Sequence, residues 1–337
     1  MWIRFLAKRS AQTILVLMGV SFIIFSFLHL TPGDPVELMM GEAAGVSQQE
    51  VEQLRHQYGL DRPFPVQYFY FITRAVQGDL GLSFTHQRPV TEVIGDYLPA
   101  TVELTFTAMF LALLVAIPLG MISAMRPHGI LDHGASWSAL LGISMPGFLI
   151  GVLLILIFGM RLEWLPVSGR IDYGISLKTI TGCYVLDSMI TLNGAALLSA
   201  LRHLLLPAVA LGGWTAAVTM RMTRASMLEM LQQDYILFAR AKGLPERVVA
   251  LNHALKNAMI PVISVVGLQL GSLLGGNMII ETVFGWPGLG RMTVDAIYAR
   301  NYPLVQGAVL LYAVTYVVIN FATDMLYTYL NPRIENV

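Results

Sequence analysis

The chain has 337 residues, 55% hydrophobic and only 12% charged, about half the charged fraction of an ordinary soluble domain, and that balance excludes a water-soluble fold. Its 21 basic and 21 acidic residues cancel, so no net field draws it to nucleic acid, and the placement of charges matters more than their sum. The single cysteine, Cys183, can build neither an internal disulfide nor a thiolate metal site.

Apolar stretches run over 10–30, 101–125, 136–159, 203–220, 259–283 and 304–329, each near the roughly 20 residues that cross a bilayer. They predict an all-α membrane protein with about six transmembrane helices. The first stretch is followed by Thr31-Pro32-Gly33-Asp34-Pro35 where a signal peptide would carry small residues for cleavage, so it reads as an uncleaved anchor. With both ends in the cytoplasm, eleven of the twenty-one basic residues fall inside: Arg4, Lys8, Arg9, Arg126, the cluster Arg221, Arg224, Arg240, Lys242, Arg247 and Lys256, and Arg333. The short loops carry that orientation, because long segments cross regardless of charge. The chain then divides into 1–30 (cytoplasmic N-terminus and first helix), 31–100 (extracytoplasmic), 101–330 (a five-helix core with a cytoplasmic loop at 221–258) and 331–337 (cytoplasmic).

In the first outside segment Ser47 and Glu50 form a capping box, Val51, Leu54 and Tyr58 follow at helical spacing, and Gly59 ends the run, which predicts a helix near 48–58. A second apolar-aromatic run, Val66 to Val76, closes at Gly78-Asp79-Leu80-Gly81, and the two together would form a small cap or a docking surface.

The third stretch contains Gly142-Ile143-Ser144-Met145-Pro146-Gly147. It lacks the second glycine of a nucleophile elbow, so a proline kink explains it better. The loop at 221–258 is long and basic, with apolar side chains between its charges. Leu228, Leu231, Tyr235, Phe238 and Ala239 would line one helical stripe, Gly243 would stop the helix and Pro245 would prevent its continuation. Such a helix fits a groove on another protein or lies on the lipid surface; spacing alone leaves both open.

In the fifth stretch Gly267, Gly271 and Gly275 repeat every four residues, predicting close packing against another helix of this chain or of a second subunit. Gln269, Asn277 and Glu281, with Asn320 and Asp324 in the sixth, are costly to expose to lipid. They would face a translocation path or a protein neighbour, or, for Glu281 and Asp324 near the ends of their spans, be solvated by water or headgroups.

No lysine completes a phosphate-binding G-x-x-x-x-G-K-[ST] loop, and no H-E-x-x-H zinc helix occurs. His128 and His133, with Asp132 between them, read as a polar turn rather than a ligand set. An ion-coupled carrier would show inverted repeats or more buried ionisable groups, and an intramembrane hydrolase would need a base facing Ser144; these two classes remain as remote alternatives.

Two motifs add a resemblance. Asp234-Tyr235-Ile236-Leu237-Phe238-Ala239-Arg240-Ala241-Lys242-Gly243-Leu244 and His253-Ala254-Leu255-Lys256-Asn257-Ala258-Met259-Ile260-Pro261 resemble the EAA loop of ABC importer permeases, specifically of the branch that handles dipeptides, oligopeptides and nickel. Thr31 to Pro35, Gly78 to Ser83, Leu98 to Leu104, Phe284 to Arg291 and Asn331-Pro332-Arg333-Ile334 agree, extending the likeness over essentially the whole chain. Leu237 and Phe238 stand where the general consensus has glutamate and alanine, which puts in doubt any role resting on that glutamate.

The resemblance implies the type I ABC importer permease architecture and the first of two paired permeases. The permease would carry no ATPase site and no cofactor, ATP and Mg being bound by partners. Those partners would be a second homologous permease, two ABC ATPase subunits and an extracytoplasmic solute-binding protein, in a bacterial inner membrane. It further implies that the helix at 234–243 sits in an ATPase groove. There Tyr235, Phe238 and Ala239 would supply apolar contact, Arg240 and Lys242 polar contact, and Gly243 the bend, with Asp234 opening the motif. The loop from Val167 to Asp187 is more similar to dipeptide permeases, whereas Met278-Ile279-Ile280-Glu281 and Gln87-Arg88-Pro89-Val90 are also similar to nickel permeases. Dipeptides are the favoured solute and nickel or a metal chelate the alternative.

Overall fold

The computed structural model describes residues 2–30 and 61–330; the helix expected near 48–58 lies outside them. The described elements are α1 (Trp2–Leu30), α2 (Phe64–Val76), α3 (Val90–Met125), α4 (Ile130–Ser144), α5 (Gly147–Arg161), α6 (Tyr184–Ile190), α7 (Gly194–Leu231), α8 (Asp234–Ala241), α9 (Glu246–Leu274), α10 (Met278–Val283), α11 (Leu289–Tyr298) and α12 (Tyr302–Leu330). Five helices, α1, α3, α7, α9 and α12, are long and apolar enough to cross a membrane, and α4 with α5 makes a sixth, bent crossing.

The α4–α5 pair turns through 105° at Met145 and Pro146, so the expected kink is a full break. Pro146 donates no backbone hydrogen bond, and Met145 before it is extended at φ −90° and ψ 132°, the conformation that a following proline enforces. The fifth crossing also ends early. Helix α9 stops at Leu274, Gly276 takes φ +86°, and α10 begins a new helix at Met278. Asn277 and Glu281 therefore lie beyond the membrane-length helix into which the apolar run at 259–283 had placed them.

The centre of the fold is α3 against α7. Residues Ala100, Leu104, Ala108, Ala112, Ala116, Gly120 and Ala124 recur every fourth position on α3, and six of the seven belong to the buried apolar set. Small residues at helical spacing let two backbones meet closely. A Cβ on Gly212 of α7 would lie 2.7 Å from the Ala108 carbonyl oxygen, and one on Gly120 would lie 2.7 Å from that of Met220.

The glycine repeat of α9 finds its neighbour within the chain. A Cβ on Gly267 would overlap the Thr323 side chain of α12, and one on Gly271 would lie 3.2 Å from the Tyr316 ring. Gly275 takes no part in this contact: it caps α9, and its Cβ would meet the Ser272 carbonyl at 3.2 Å. Gly267→Val is expected to push α9 from α12 and destabilise the bundle by about 1–3 kcal/mol, the usual cost of overpacking, read as a lower midpoint of thermal inactivation in detergent. An unchanged midpoint would mean that the contact is loose.

Helix α2 docks on α1 through aromatic rings. Phe22 meets Phe64 and Tyr68 at 5.9 and 5.4 Å, and Phe25 meets Phe64, Tyr68 and Phe71 at 5.2, 5.6 and 5.5 Å. Residues 64, 68 and 71 share one helix face, which is why the run from Val66 to Val76 forms a helix with an inward side. Asn301 ties the next turn to the opposite part of the bundle, donating to Ser83 Oγ at 2.7 Å and to Thr85 Oγ1 at 2.8 Å while accepting from the Phe84 amide at 3.2 Å.

Candidate functional site

The polar and exposed features gather at the two ends of the bundle. At one end α7 runs to Leu231, the chain breaks at Gln232 and Gln233, and α8 begins at Asp234. The predicted stripe from Leu228 to Ala239 is thus divided between two helices. Within α8, Ile236 and Ala239 turn inward against Met227, Val249, Ala254 and Ala258. Ala239, expected as an outward contact, instead seats the helix, because positions 236 and 239 lie one turn apart on its inner face.

The outer face carries Tyr235, Leu237 and Phe238, with Phe238 63% exposed. Lys242 Nζ lies 4.6 Å from the centre of the Phe238 ring, a cation–π contact. Arg240 pairs with Glu246 at 2.7 Å across the turn. Gly243 holds φ +77°, a conformation that favours glycine, and so reverses the chain between α8 and α9. Asp234 lies in the first turn of α8, where a carboxylate opposes the positive helix end. Tyr235 is pinned by Asn257, whose Nδ2 donates to its hydroxyl at 3.0 Å, and the start of α9 is wound as a π-helix over Val249–Leu255. An exposed aromatic face on a firmly seated helix is what a protein groove can grip.

Beside it, Asp132 at the start of α4 accepts from Arg224 of α7 at 2.6 and 2.8 Å and from the His128 amide at 2.9 Å. The pair clamps the broken α4–α5 crossing to α7.

Of the residues expected to line a path, Glu281 is enclosed in a latch. It is 1% exposed and accepts from Thr101 Oγ1 at 2.8 Å and from the Arg291 amide at 2.9 Å. Gly288 and Gly290 leave the room for it, since a Cβ at either would lie within 3 Å of the carboxyl group. Asn277 precedes α10 and donates to the Leu273 carbonyl at 3.3 Å. Asp324 pairs with Arg9 of α1. Glu281 and Asp324 thus bond to neighbouring helices. Gln269 and Asn320 differ: Gln269 accepts from Thr219 at 3.1 Å, while its Nε2 and Asn320 Oδ1 are buried without a hydrogen-bond partner among the described residues, a costly arrangement in an apolar bundle.

The opposite end contains a cluster that motif reading missed. Glu103 of α3 and Arg170 form a buried ion pair at 2.5 Å. Glu103 also accepts from the Val185 amide at 2.6 Å, and Arg170 donates to the Gly182 carbonyl at 2.7 Å. The guanidinium lies 3.8 Å from the Tyr184 ring centre and 5.4 Å from that of Trp286, whose Nε1 donates to the Ala100 carbonyl at 2.9 Å. The detectable signal was an acid just inside an apolar stretch, which calls for a partner.

Asp187 braces the same loop. Its carboxylate accepts from the amides of Ile180, Thr181 and Gly182 at 3.1, 2.8 and 3.0 Å and from Thr181 Oγ1 at 2.7 Å. Burial opposes ionisation, yet these donors outweigh it and hold the carboxyl below its usual range. A lowered folded value means that the stabilisation is present above the ordinary carboxylate pKa of about 4 and is lost as pH falls through the folded value. Amide exchange at 180–182, corrected for intrinsic rates, is expected to be constant above about pH 5 and to accelerate as pH falls below about 4. Asp187→Asn, with one acceptor oxygen, should remove about 2–3 kcal/mol of this protection at neutral pH; unchanged exchange would show that the loop is held elsewhere.

Comparison with known proteins bears on what these two ends serve. Residues 116–336 match the family of binding-protein-dependent transport system inner membrane components, and residues 2–105 match the N-terminal part of such membrane components. The chain is 43% identical over 332 residues to the Di/tripeptide transport system permease protein DppB of Pseudomonas aeruginosa, covering 98% of each chain. It is 42% identical over 337 residues to the Dipeptide transport system permease protein DppB of Escherichia coli K12, covering 99% of each. It is 40% identical over 333 residues to the Glutathione transport system permease protein GsiC of another Escherichia coli strain, again covering 99% of each. With membrane-length helices from end to end and this likeness over nearly its full length, the chain belongs to the binding-protein-dependent transport system inner membrane components, the multi-pass permease subunits of ABC importers, and is not itself an ATPase.

Proposed function

We propose that the chain forms half of the path by which dipeptides and related short peptides enter a bacterial cell, driven by separate ATPases. The observation that carries this is α8: a helix anchored by Ile236 and Ala239 whose Tyr235, Leu237 and Phe238 face outward. One ATPase subunit takes that face into a groove, and closure of two such subunits on ATP and Mg moves α8 and the bundle behind it. The permease holds no cofactor and does no covalent chemistry. A second, homologous permease completes the path. Both termini and α8 lie in the cytoplasm, consistent with the basic residues around α8. The opposite end, with α2, α6 and α11, receives an extracytoplasmic solute-binding protein.

Gln269 and Asn320 are the remaining candidates for polar groups along the path, because each keeps a polar atom inside the bundle that is unbonded among the described residues. Peptides are favoured over nickel chelates by the names of the relatives, which span di- and tripeptides, dipeptides and glutathione, itself a tripeptide. The test is purification of the tagged chain from its native membrane, with mass spectrometry of co-purifying proteins, an ATPase assay, and uptake of a labelled dipeptide in competition with other peptides and with a nickel chelate. Recovery of a second permease and P-loop subunits with ATPase activity, and competition by peptides, are expected. A chain recovered without an ATPase would overturn the coupling assignment, and competition by nickel chelate alone would overturn the solute.

A further inference from the structure

A groove of about 420 Å³ opens between α4 and α7, lined by Ser136, Leu140, Arg221, Arg224 and Ala225. Its origin is sequence-level. Ala135, Ala139 and Ala217 are small enough to bring the two helices together with Met220 and Ala116, and one position further round each helix Ser136 and Ala225 leave the space beside that contact unfilled.

The groove has two unlike ends. Arg224 is fixed by both of its bonds to Asp132, which neutralises it. Arg221, one turn earlier on α7, is exposed and has no carboxylate within ion-pairing distance among the described residues. The free positive charge therefore belongs to Arg221. The rest of the wall and its surroundings are apolar: Leu140, Trp137 and Leu141 on α4 are 48%, 66% and 58% exposed. Depth can be read from α3, where Gly120 meets Met220 and Thr223 while the helix ends at Met125. That is about one to two turns of helix, placing Arg221 where a long basic side chain reaches the headgroup level from within the apolar layer.

We infer that this groove binds one anionic phospholipid, with its phosphate on Arg221 and the hydroxyl of Ser136 and an acyl chain along Leu140 and Trp137. A ligand that is an anion at one end and hydrocarbon at the other matches the groove's two ends. A protein partner would have to bring an acidic side chain to the same place. The lipid would brace the α4–α7 contact on the side where Asp132 and Arg224 already clamp it, restraining the broken crossing at the level of the membrane surface.

The test is native mass spectrometry of the chain co-purified with its partner subunits after incorporation into bilayers of phosphatidylcholine mixed with phosphatidylglycerol. The wild type is expected to retain phosphatidylglycerol in preference to phosphatidylcholine. Arg221→Ala should lower that preference about fivefold, the effect of removing one cation at the membrane surface, while Arg221→Lys keeps most of it. Ser136→Leu, which fills the groove without changing charge, should lower it as well. Arg247→Ala, at an exposed basic position of α9, should leave it unchanged. Retention of the preference in both Arg221→Ala and Ser136→Leu would overturn the inference. So would displacement of the adduct by inorganic phosphate alone, which would make the site one for free phosphate, or cross-linking of position 221 to an acidic residue of the second permease in place of lipid.

Discussion

Glu103→Ala is expected to be the most destabilising single change at the end of the bundle opposite α8. The carboxylate it removes is the counter-ion of Arg170 and the acceptor for the Val185 amide, and both side chains are almost fully enclosed, 5% and 7% exposed. Arg170 already has one buried nitrogen, Nε, without a partner among the described residues. Without Glu103 its guanidinium would keep the Gly182 carbonyl and the Tyr184 and Trp286 rings but no negative charge. Stranding a buried charge costs about 3–5 kcal/mol, whereas replacing both partners by apolar groups is often nearly neutral. The double variant Glu103→Leu with Arg170→Met should therefore regain much of what Glu103→Ala loses. The measurement is the midpoint of thermal inactivation of the detergent-purified complex for each single change and for the pair. Equal midpoints for Glu103→Ala and the wild type would show that solvent reaches the cluster and that the pair is dispensable.

The second large effect belongs to α8. Phe238→Asp should leave the amount of the chain in the membrane unchanged and yet reduce peptide uptake to near background, because position 238 points away from the bundle at 63% exposure. An aromatic anchor at the centre of an interface is commonly worth about 2–4 kcal/mol, a loss of affinity of roughly 30- to 1,000-fold, and a buried unpaired carboxylate adds to it. Ile236→Asp provides the contrast. Ile236 is 0% exposed among Met227, Val249 and Ala254, so a charge there should unseat α8 and lower the amount of folded chain. Co-purification of ATPase with each variant, alongside uptake, separates the two. If Phe238→Asp still carries its ATPase and transports normally, α8 is not the coupling element.

The features of α8 that are legible in the sequence are local ones. Gly243 and Pro245 mark the end of the helix because a positive φ and a missing N–H are properties of single residues, whereas the inward side of α2 at 64, 68 and 71 is defined only by its packing on α1. The membrane class and the approximate helix count follow from apolar runs, since bilayer thickness sets their length. The sequence also yields the likeness of 234–261 to a coupling loop, because that surface is written in consecutive residues.

What the tertiary structure alone decided is which distant groups meet. Glu103 and Arg170 are 67 positions apart, and Asp132 and Arg224 are 92 apart; neither spacing carries a periodic signal that pairs them. Glu281 and Asp324 looked alike as acids at the ends of apolar runs. One proved to be enclosed by Thr101, Gly288 and Arg291, and the other paired with Arg9. The glycine repeat called for a close neighbour but not for a particular one, and α12 became that neighbour only through the fold. By itself, then, the sequence determined the solvent, the element types and the helix stops, because these depend on residues near one another in the chain, whereas the outward face of α8 did not follow from it, since Ala239 turned inward. Partner choice, the 105° break and the identity of the buried ion pairs depended on long-range packing, where burial makes an unpaired charge or an unfilled space too costly to leave.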